Sequence, residues 1–178
     1  VLSNTGTITP DMQNNNAIEF DKVNFSYGRE RVLHDVSFSI NKGEKIAIVG
    51  ETGAGKSTIA KLILRFYLPN EGDVNFYGES SREVSQKWAR KNIAYVPQES
   101  FLFRGSIKNN LIYSNPEGID LEQELQEIGV LDWFERYENG LDQEVGERGA
   151  NVSAGERQFI ALLRAVLAKR EIIVFDEA

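Results

Sequence analysis

The chain has 178 residues and no cysteine, and its 20 basic residues against 27 acidic residues give a formal net charge of −7. This length predicts one domain or part of one, because a domain holds roughly 100–200 residues. The missing cysteines exclude disulfides and thiolate metal sites, and the acidic balance argues against a nucleic-acid binder that relies on a basic face.

The two ends of the sequence predict a piece of a longer polypeptide. It begins without methionine and stops at Ala178, directly after an apolar run and two carboxylates. Residues 1–16 are polar and contain Pro10, which predicts a linker. They lack the regions of a signal peptide, and no run in the sequence approaches the ~20 apolar residues that cross a bilayer.

The first ordered segment after the linker alternates between apolar and polar residues. A period of two predicts a half-buried antiparallel sheet. Tyr27 ends its run just before Gly28, where its ring could offer a face to adenine or pack as an ordinary core aromatic, and the residues alone leave both open. The alternating apolar residues are Ile18, Phe20, Val23, Phe25, Tyr27, Val36, Phe38 and Ile40.

Residues 50–58, GETGAGKST, match the P-loop pattern of glycine, four residues, glycine, lysine and serine or threonine. Gly53 and Gly55 allow backbone conformations that turn N–H groups toward a phosphate, and the following helix adds its positive end. Lys56 brings a full charge to the terminal phosphates, and the Ser57 hydroxyl is placed to bind magnesium.

The residues on both sides favour a P-loop over a chance glycine-rich turn. The apolar run at residues 45–49 predicts a strand buried on both faces. After the loop, apolar residues recur at helical spacing until Pro69. They are Ile59, Leu62, Ile63, Phe66 and Tyr67.

The middle of the chain predicts short strands at residues 73–77 and Ile93–Val96, with a helical piece at residues 81–91 between them. Gln98 follows the second strand, near the edge where open α/β sheets bind ligands, although a loop glutamine needs no function. The next apolar residues, at 101–103, look exposed.

Two further helical stretches, Leu121–Ile128 and residues 131–137, predict a small peripheral subdomain.

Residues 151–169 predict an amphipathic helix with a marked start. Ser153 and Glu156 have the spacing of a capping box, and Gly155 leaves the helix terminus uncrowded. The segment is either a well-capped helix or a second anion site. The apolar residues of its predicted buried face are Phe159, Leu162, Leu163, Val166 and Leu167.

The sequence closes with a predicted buried strand, Ile172–Phe175, followed by Asp176 and Glu177. Carboxylates at this position can hold magnesium or polarise water, although two acids after a strand also begin many loops. The P-loop in the same chain favours the functional interpretation.

Together these segments resemble the nucleotide-binding domain of ATP-binding cassette transporters. Residues 50–58 are similar to the Walker A motif, Gln98 to the Q-loop glutamine, residues 153–158 to the signature motif, and residues 172–177 to Walker B with its catalytic glutamate. The resemblance implies an α/β P-loop NTPase with a central, mostly parallel sheet and an N-terminal antiparallel β subdomain. The ATPase domain is then residues 17–178 and incomplete, with a helical subdomain at about 99–152.

The resemblance also assigns ATP and Mg²⁺ as the cofactors. Its implied catalytic residues are Glu177, Gln98 and Lys56, and its implied metal ligands are Ser57, Gln98 and Asp176. ATP held by one domain would contact Ser153, Ala154, Gly155 and Glu156 of a second domain. The implied ATP-binding residues are Tyr27, stacked on adenine, and Gly50, Glu51, Thr52, Gly53, Ala54, Gly55, Lys56, Ser57 and Thr58.

Two stretches, residues 101–110 and 145–149, are similar to the exporter branch of this family. The resemblance implies a soluble domain at the cytoplasmic face of the cell membrane, within an integral membrane transporter. Its partners would be a second nucleotide-binding domain, as a homo- or heterodimer, and a transmembrane domain docked at the Q-loop region, with no nucleic acid. Residues 101–103 are then a docking surface, and the alternative is a buried loop plug.

The sequence departs from the family pattern in two places. The signature reads VSAGERQ where the commonest form is LSGGQRQ, so Ala154 adds a methyl group and Glu156 adds an acid near the expected γ-phosphate. We expect weaker binding of ATP in trans. The family also continues past Ala178 into a D-loop and a switch histidine, so we expect low or no hydrolysis by these 178 residues alone.

The favoured hypothesis is an ATP-binding and hydrolysing domain that powers export by ATP-driven, head-to-tail dimerisation. One alternative is a fragment that binds nucleotide without turnover. Another is a soluble ATPase of the chromosome-maintenance or DNA-repair type. Such proteins insert long coiled coils between the P-loop and the signature, whereas Gln98 and Ser153 are only 55 positions apart here.

Overall fold

The computed structural model describes residues 6–114 and 118–176 and divides into two compact units, Val1–Asn92 and Ile93–Ala178. In the first unit the strands are β1 (Asn16–Tyr27), β2 (Glu30–Asn41), β3 (Glu71–Phe76) and β4 (Glu79–Ser80), and the helices are α1 (Lys56–Ile63) and α2 (Gln86–Asn92). The second unit contains β5 (Ile93–Val96), β6 (Gly105–Ser106), β7 (Glu144–Val145) and β8 (Ile172–Phe175), with helices α3 (Ile107–Ile112), α4 (Leu121–Ile128) and α5 (Ala154–Leu167). Three short 3₁₀ helices span Leu131–Arg136, Gly140–Asp142 and Glu147–Gly149.

The first unit is built on an antiparallel sheet with strand order β2-β1-β3-β4. Phe20, Val23 and Phe25 of β1 are at most 4% exposed, and a shift in the strand register between Phe20 and Val23 keeps all three in the core. Phe20 also pairs with Phe38 of β2, and their rings stack at 4.5 Å. The predicted antiparallel sheet is therefore present.

Part of the predicted linker contacts this unit. The backbone of Ile8 donates to Glu83 O at 2.9 Å and accepts from the Ser85 N–H at 2.8 Å. Pro10 is buried. Ile8 thus pairs with the segment before α2.

The strand predicted at residues 45–49 is not formed, and this prediction is wrong. The segment has no regular structure, and Ile46, Ile48 and Val49 are 44%, 40% and 88% exposed. A β-strand needs a neighbour to share its backbone hydrogen bonds, and the described sheet of the first unit ends at β2 and β4 without pairing to it. An apolar run alone therefore did not make a strand here.

Helix α1 is shorter than its apolar spacing predicts. It ends at Ile63, because Arg65 takes a left-handed φ of 54° and turns the chain. The buried Arg65 guanidinium donates to the carbonyl of Val84, which holds this turn in place. Phe66 and Tyr67, predicted on the buried helix face, are instead 58% and 41% exposed.

The second unit contains the parallel pair β5 and β8, in register from Ile93 opposite Ile172 to Val96 opposite Phe175. Helix α5 contacts both β5 and α3. Helix α4 has its predicted bounds, and the stretch predicted from residue 131 is a 3₁₀ helix. The predicted strand Ile172–Phe175 is present, although Phe175 is 43% exposed.

Two surface predictions in this unit need correction. Leu102, predicted in an exposed triplet, is 1% exposed and belongs to the core of the unit, whereas Phe101 is 50% exposed. On α5, Val166 is 37% exposed while Ile160 and Ala161 are buried. The helix contacts both α3 and β5, and its buried residues differ from the predicted apolar stripe.

None of the helices within residues 6–114 and 118–176 has the length and apolar character that a membrane span requires.

Candidate nucleotide-binding site

The glycine-rich loop leads directly into the first turn of α1. Gly53 and Gly55 have φ values of 88° and 90°, and Gly55 is the N-cap of the helix. No acidic residue lies in the first turn of α1, so no carboxylate offsets the partial positive charge of the helix terminus. The loop therefore presents a helix N-terminus suited to an anion.

Lys56 folds back across this loop. Its Nζ donates to the carbonyl oxygens of Gly50 and Glu51, at 2.8 Å each. The ammonium group is thus held across the loop by two backbone oxygens. Phosphate oxygens are stronger acceptors for the same group because they carry charge.

Gly55 also fills a position where a side chain does not fit. A Cβ on this residue would lie 2.6 Å from Leu33 Cδ2 and 3.3 Å from Val32 Cγ1. The glycine thus brings the loop against β2 as well as supplying the positive φ. Residues 51–54 remain exposed, whereas Thr58 is buried.

Tyr27 lies beside the same helix turn. Its hydroxyl accepts a hydrogen bond from Thr58 Oγ1 at 3.4 Å, and Lys61 Nζ lies 5.6 Å from its ring centroid. The ring is half-buried and meets Phe25 and Tyr67 edge to face, at 4.8 and 5.3 Å between centroids. The structure therefore brings Tyr27 together with the P-loop helix in one unit.

Sequence reasoning missed Tyr67 as a member of this aromatic group. It placed the residue on a buried helix face, whereas the chain leaves the helix before it. The signal available in the sequence was an aromatic residue two positions before the helix-stopping Pro69, and it was interpreted as part of the helix.

In the second unit Gln98 and Asp176 follow neighbouring parallel strands. Asp176 comes directly after β8, and its N–H donates to Val96 O at 3.0 Å, which extends the pairing with β5. Gln98 is exposed two residues beyond the end of β5. Both residues therefore lie at the carboxyl-terminal edge of the pair, as predicted.

Tyr95 is a neighbour of Asp176 that the sequence did not indicate. Its hydroxyl donates to Asp176 Oδ2 at 3.2 Å. Burial, together with the negative charge of Asp176, raises the pKa of Tyr95. The phenol thus stays protonated and holds the carboxylate from the adjacent strand. Glu177, the predicted catalytic glutamate, lies outside the described residues.

The start of α5 forms the predicted capping box. Ser153 is the N-cap; its hydroxyl accepts from the Glu156 N–H at 3.3 Å, and its own N–H donates to Glu156 Oε2 at 2.9 Å. Ala154 and Gly155 are exposed, and a Cβ on Gly155 would meet nothing within 4 Å. The terminus is therefore uncrowded, and Glu156 is directed at the backbone of Ser153.

Glu156 is held in its charged form. Hydrogen bonds from Ser153, first from its side chain and then from its backbone, lower the pKa of Glu156. Its neighbour Tyr137 has a buried hydroxyl without a hydrogen bond of normal geometry. Burial, with the nearby carboxylate as a further cause, raises the pKa of Tyr137 to about 12.

We expect the capping box to make the free energy of unfolding depend on pH in the acidic range. A carboxyl whose pKa is lowered on folding stabilises the protein above its unfolded pKa, about 4.3, and loses that contribution as pH falls through the folded pKa. Glu156→Gln keeps the box but not the charge, and should cost about 0.3–1 kcal/mol near neutral pH. Urea unfolding from about pH 7 to about pH 3 should show the difference shrinking as pH falls. A constant difference would contradict the assignment.

The donors proposed for a metal divide between the two units. Ser57 belongs to the first unit, and Gln98 and Asp176 to the second. All three offer oxygen atoms, which magnesium prefers. Within residues 6–114 and 118–176 there is no cluster of three or more His, Cys, Asp or Glu side chains, so this donor set does not resemble a zinc site.

A glycine-rich loop, a lysine folded across it and a helix N-terminus without a side-chain cap define a P-loop nucleotide-binding protein. The profile of the family described as "ABC transporter" matches residues 33–178, which is most of the chain. The chain belongs to this family. The predicted family and the predicted P-loop NTPase fold class are confirmed.

Individual relatives and structures agree with this assignment. The chain is 38% identical over 172 residues to the "Putative export ATP-binding/permease protein" of Rickettsia bellii, covering 93% of this chain and 29% of that protein. It is 38% identical over 183 residues to the human "Iron-sulfur clusters transporter ABCB7, mitochondrial", covering 100% and 24%. A solved structure of a bacterial Atm1-family ABC exporter with ATP bound superposes with a TM-score of 0.86 at 37% identity, covering 99% of this chain and 31% of that chain. The chain thus spans less than a third of the length of each of these proteins.

Proposed function

We propose that this chain is the ATP-binding and ATP-hydrolysing domain of an ABC exporter. The observation that carries the proposal is the ammonium group of Lys56, held at 2.8 Å from two carbonyl oxygens across the glycine-rich loop. The terminal phosphates of ATP replace those carbonyls as its partners. The loop amides and the start of α1 hold the remaining phosphate oxygens.

The roles of the other residues follow the family. Tyr27 stacks on adenine, and Ser57, Gln98 and Asp176 are the oxygen donors for Mg²⁺. When bound, the ion neutralises charge that develops on the transferred phosphate. Glu177 takes the proton of the attacking water, and Gln98 reports the presence of the γ-phosphate. Tyr95 keeps the Asp176 carboxylate oriented through its hydrogen bond.

A second nucleotide-binding domain completes the site in our proposal. Two domains face each other head to tail, so that Ser153 and Gly155 of one contact ATP held by Lys56 of the other. The exposed, uncrowded start of α5 supports this role. In the capping box the Ser153 hydroxyl accepts a hydrogen bond and can still donate its own hydrogen to a phosphate. The Ser153 backbone N–H already donates to Glu156 Oε2, so ATP in trans competes with Glu156 for that N–H alone.

The remaining partner is a transmembrane domain at the cytoplasmic face of the cell membrane. Phe101, 50% exposed and three residues beyond Gln98, is the apolar residue that offers a docking contact. Leu102 is part of the core and does not contribute to this surface. Docking at residues 101–103 would therefore centre on Phe101, with Phe103 half-buried beside it.

Changing Tyr27 tests the proposed adenine contact. Tyr27→Ala should weaken ATP binding roughly 10-fold, because stacking of a base on an aromatic ring contributes about 1–3 kcal/mol. Tyr27→Phe is the matched control: it keeps the ring and loses only the contact with Thr58, so its affinity should stay within about threefold of the wild type. Titration of a fluorescent ATP analogue measures both variants. Equal affinities for Tyr27→Ala and wild type would remove Tyr27 from the site.

Phosphate release from ATP distinguishes turnover from binding alone. The full-length polypeptide that carries these residues is expected to release phosphate in the presence of Mg²⁺. If it binds ATP and releases none, the chain is a nucleotide-binding module and the hydrolytic part of the proposal fails.

A further inference from the structure

Asn110 is a buried polar side chain of the second unit, and its hydrogen bonds join a loop to a helix. It lies on α3 and is 1% exposed. Its Oδ1 accepts from the Phe103 N–H at 2.8 Å, and its Nδ2 donates to Phe103 O at 2.9 Å and Ser106 O at 3.0 Å. The side-chain amide thus binds both backbone groups of Phe103, as a neighbouring strand would.

Arg164 of α5 binds the same residue from the other side. Its Nε donates to Asn110 O and its Nη2 to Asn110 Oδ1, both at 2.9 Å. Nη2 also reaches Phe101 O at 3.5 Å, and the guanidinium lies 5.3 Å from the Phe103 ring centroid. We call this set of contacts the Asn110–Arg164 link.

The link places a charged side chain at a half-buried position of the unit. Burial lowers the pKa of Arg164, and no carboxylate in the described part of the chain forms an ion pair with it. Its partners are backbone carbonyls, an amide and a ring. Burying a charged group costs desolvation free energy. Its directional hydrogen bonds, however, fix the positions of the groups that it binds. The link is therefore better suited to positioning than to stability.

The link connects two segments to which we assign different partners. At one end is the stretch after Gln98, with Phe101 exposed. At the other is α5, whose N-cap Ser153 lies about 16 Å along the helix from Arg164 at 1.5 Å per residue. Because α5 is a continuous helix of 14 residues, a shift imposed at Arg164 is carried to Ser153.

We propose that Asn110 and Arg164 are positioning residues that make residues 101–106 and α5 move as one body. A partner that pushes on Phe101 thereby moves Ser153 relative to the ATP it contacts in trans. This inference rests on the function proposed above. It adds two residues that act through the link and touch neither nucleotide nor partner.

The test uses two conservative variants in the full-length polypeptide. Arg164→Lys keeps the charge but cannot make the paired bonds to Asn110. Asn110→Asp keeps the acceptor oxygen but loses both donated bonds to Phe103 and Ser106. Arg170→Lys is the control: its guanidinium donates to Ser114 O at 2.9 Å, in the same unit but outside the link.

The readouts separate positioning from folding. We expect both link variants to bind a fluorescent ATP analogue within about twofold of wild type and to release phosphate with a kcat about three- to tenfold lower, while the control keeps both values. Hydrogen exchange at residues 101–106 should also be faster in the link variants only.

Two results would contradict the positioning role proposed for the Asn110–Arg164 link. One is a wild-type kcat in Arg164→Lys, and the other is an equal loss of nucleotide affinity and kcat, which indicates general destabilisation. A wild-type protein that neither binds nor hydrolyses ATP would instead refute the proposed function on which the inference rests.

Discussion

Lys56→Ala is expected to reduce ATP binding by at least about 100-fold, to the point where titration shows no saturation. The lysine ammonium makes two hydrogen bonds of 2.8 Å across the loop, and with nucleotide bound it makes charge-assisted bonds to phosphate. Each bond to a charged group contributes about 1.5–3 kcal/mol, and about 1.4 kcal/mol corresponds to a factor of ten. The loss of two such bonds therefore removes most of the affinity for the terminal phosphates.

A surface lysine provides the matched control for this variant. Lys87 is exposed on α2 of the same unit, so Lys87→Ala changes net charge equally without touching the loop. Radiolabelled ATP in equilibrium dialysis should detect wild-type binding for Lys87→Ala and none for Lys56→Ala at the same concentration. If Lys56→Ala retained wild-type affinity, the P-loop assignment would be wrong.

Gly55→Ala is expected to lower the free energy of unfolding by about 2–5 kcal/mol. The left-handed φ of 90° costs a non-glycine residue about 1–2 kcal/mol, and overpacking adds about 1–3 kcal/mol. The new Cβ would lie 2.6 Å from Leu33 Cδ2, and Leu33 is 2% exposed, so its side chain has little room to move.

Gly53→Ala separates these two effects. Gly53 has a similar φ of 88°, but a Cβ there meets nothing within 4 Å. Gly53→Ala should lower the free energy of unfolding only by the cost of the left-handed φ, about 1–2 kcal/mol. Urea unfolding of both variants measures the difference. Equal losses would show that contact with Leu33 contributes nothing, and the close approach of the loop to β2 would need another explanation.

Sequence patterns correctly predicted the features that depend only on residues close together in the sequence. The period-two alternation of β1 and β2 placed Phe20 and Phe38 on one face, where they stack. Ser153 and Glu156 predicted a capping box from spacing alone, because its partners are three residues apart. The P-loop glycines Gly53 and Gly55 likewise have positive φ values, which the motif itself requires.

The wrong predictions concern features that depend on residues far away in the sequence. The strand predicted at residues 45–49 needs a partner strand that its own sequence cannot specify. The end of α1 depends on Arg65 reaching the carbonyl of Val84, 19 positions away. Leu102 turns into the core while Asn110 holds the backbone of Phe103, a pairing that no local pattern marks.

The candidate site shows the same division. The loop, Tyr27, Gln98 and Asp176 were predicted from the sequence, because each lies at an end of an element with a recognisable pattern. Their roles in the site stay predictions. Tyr67 and Tyr95 were missed, since each contributes through a neighbour on another segment. The Asn110–Arg164 link likewise joins residues 54 positions apart and required the structure.

Calorimetric titration of the wild-type protein with ATP, in the presence of Mg²⁺, tests the central claim most directly. The proposed site predicts saturable binding of one ATP per chain, weakened when Mg²⁺ is removed because the ion shares the phosphate oxygens. The absence of binding at millimolar ATP, or binding unaffected by both Mg²⁺ and Lys56→Ala, would contradict it.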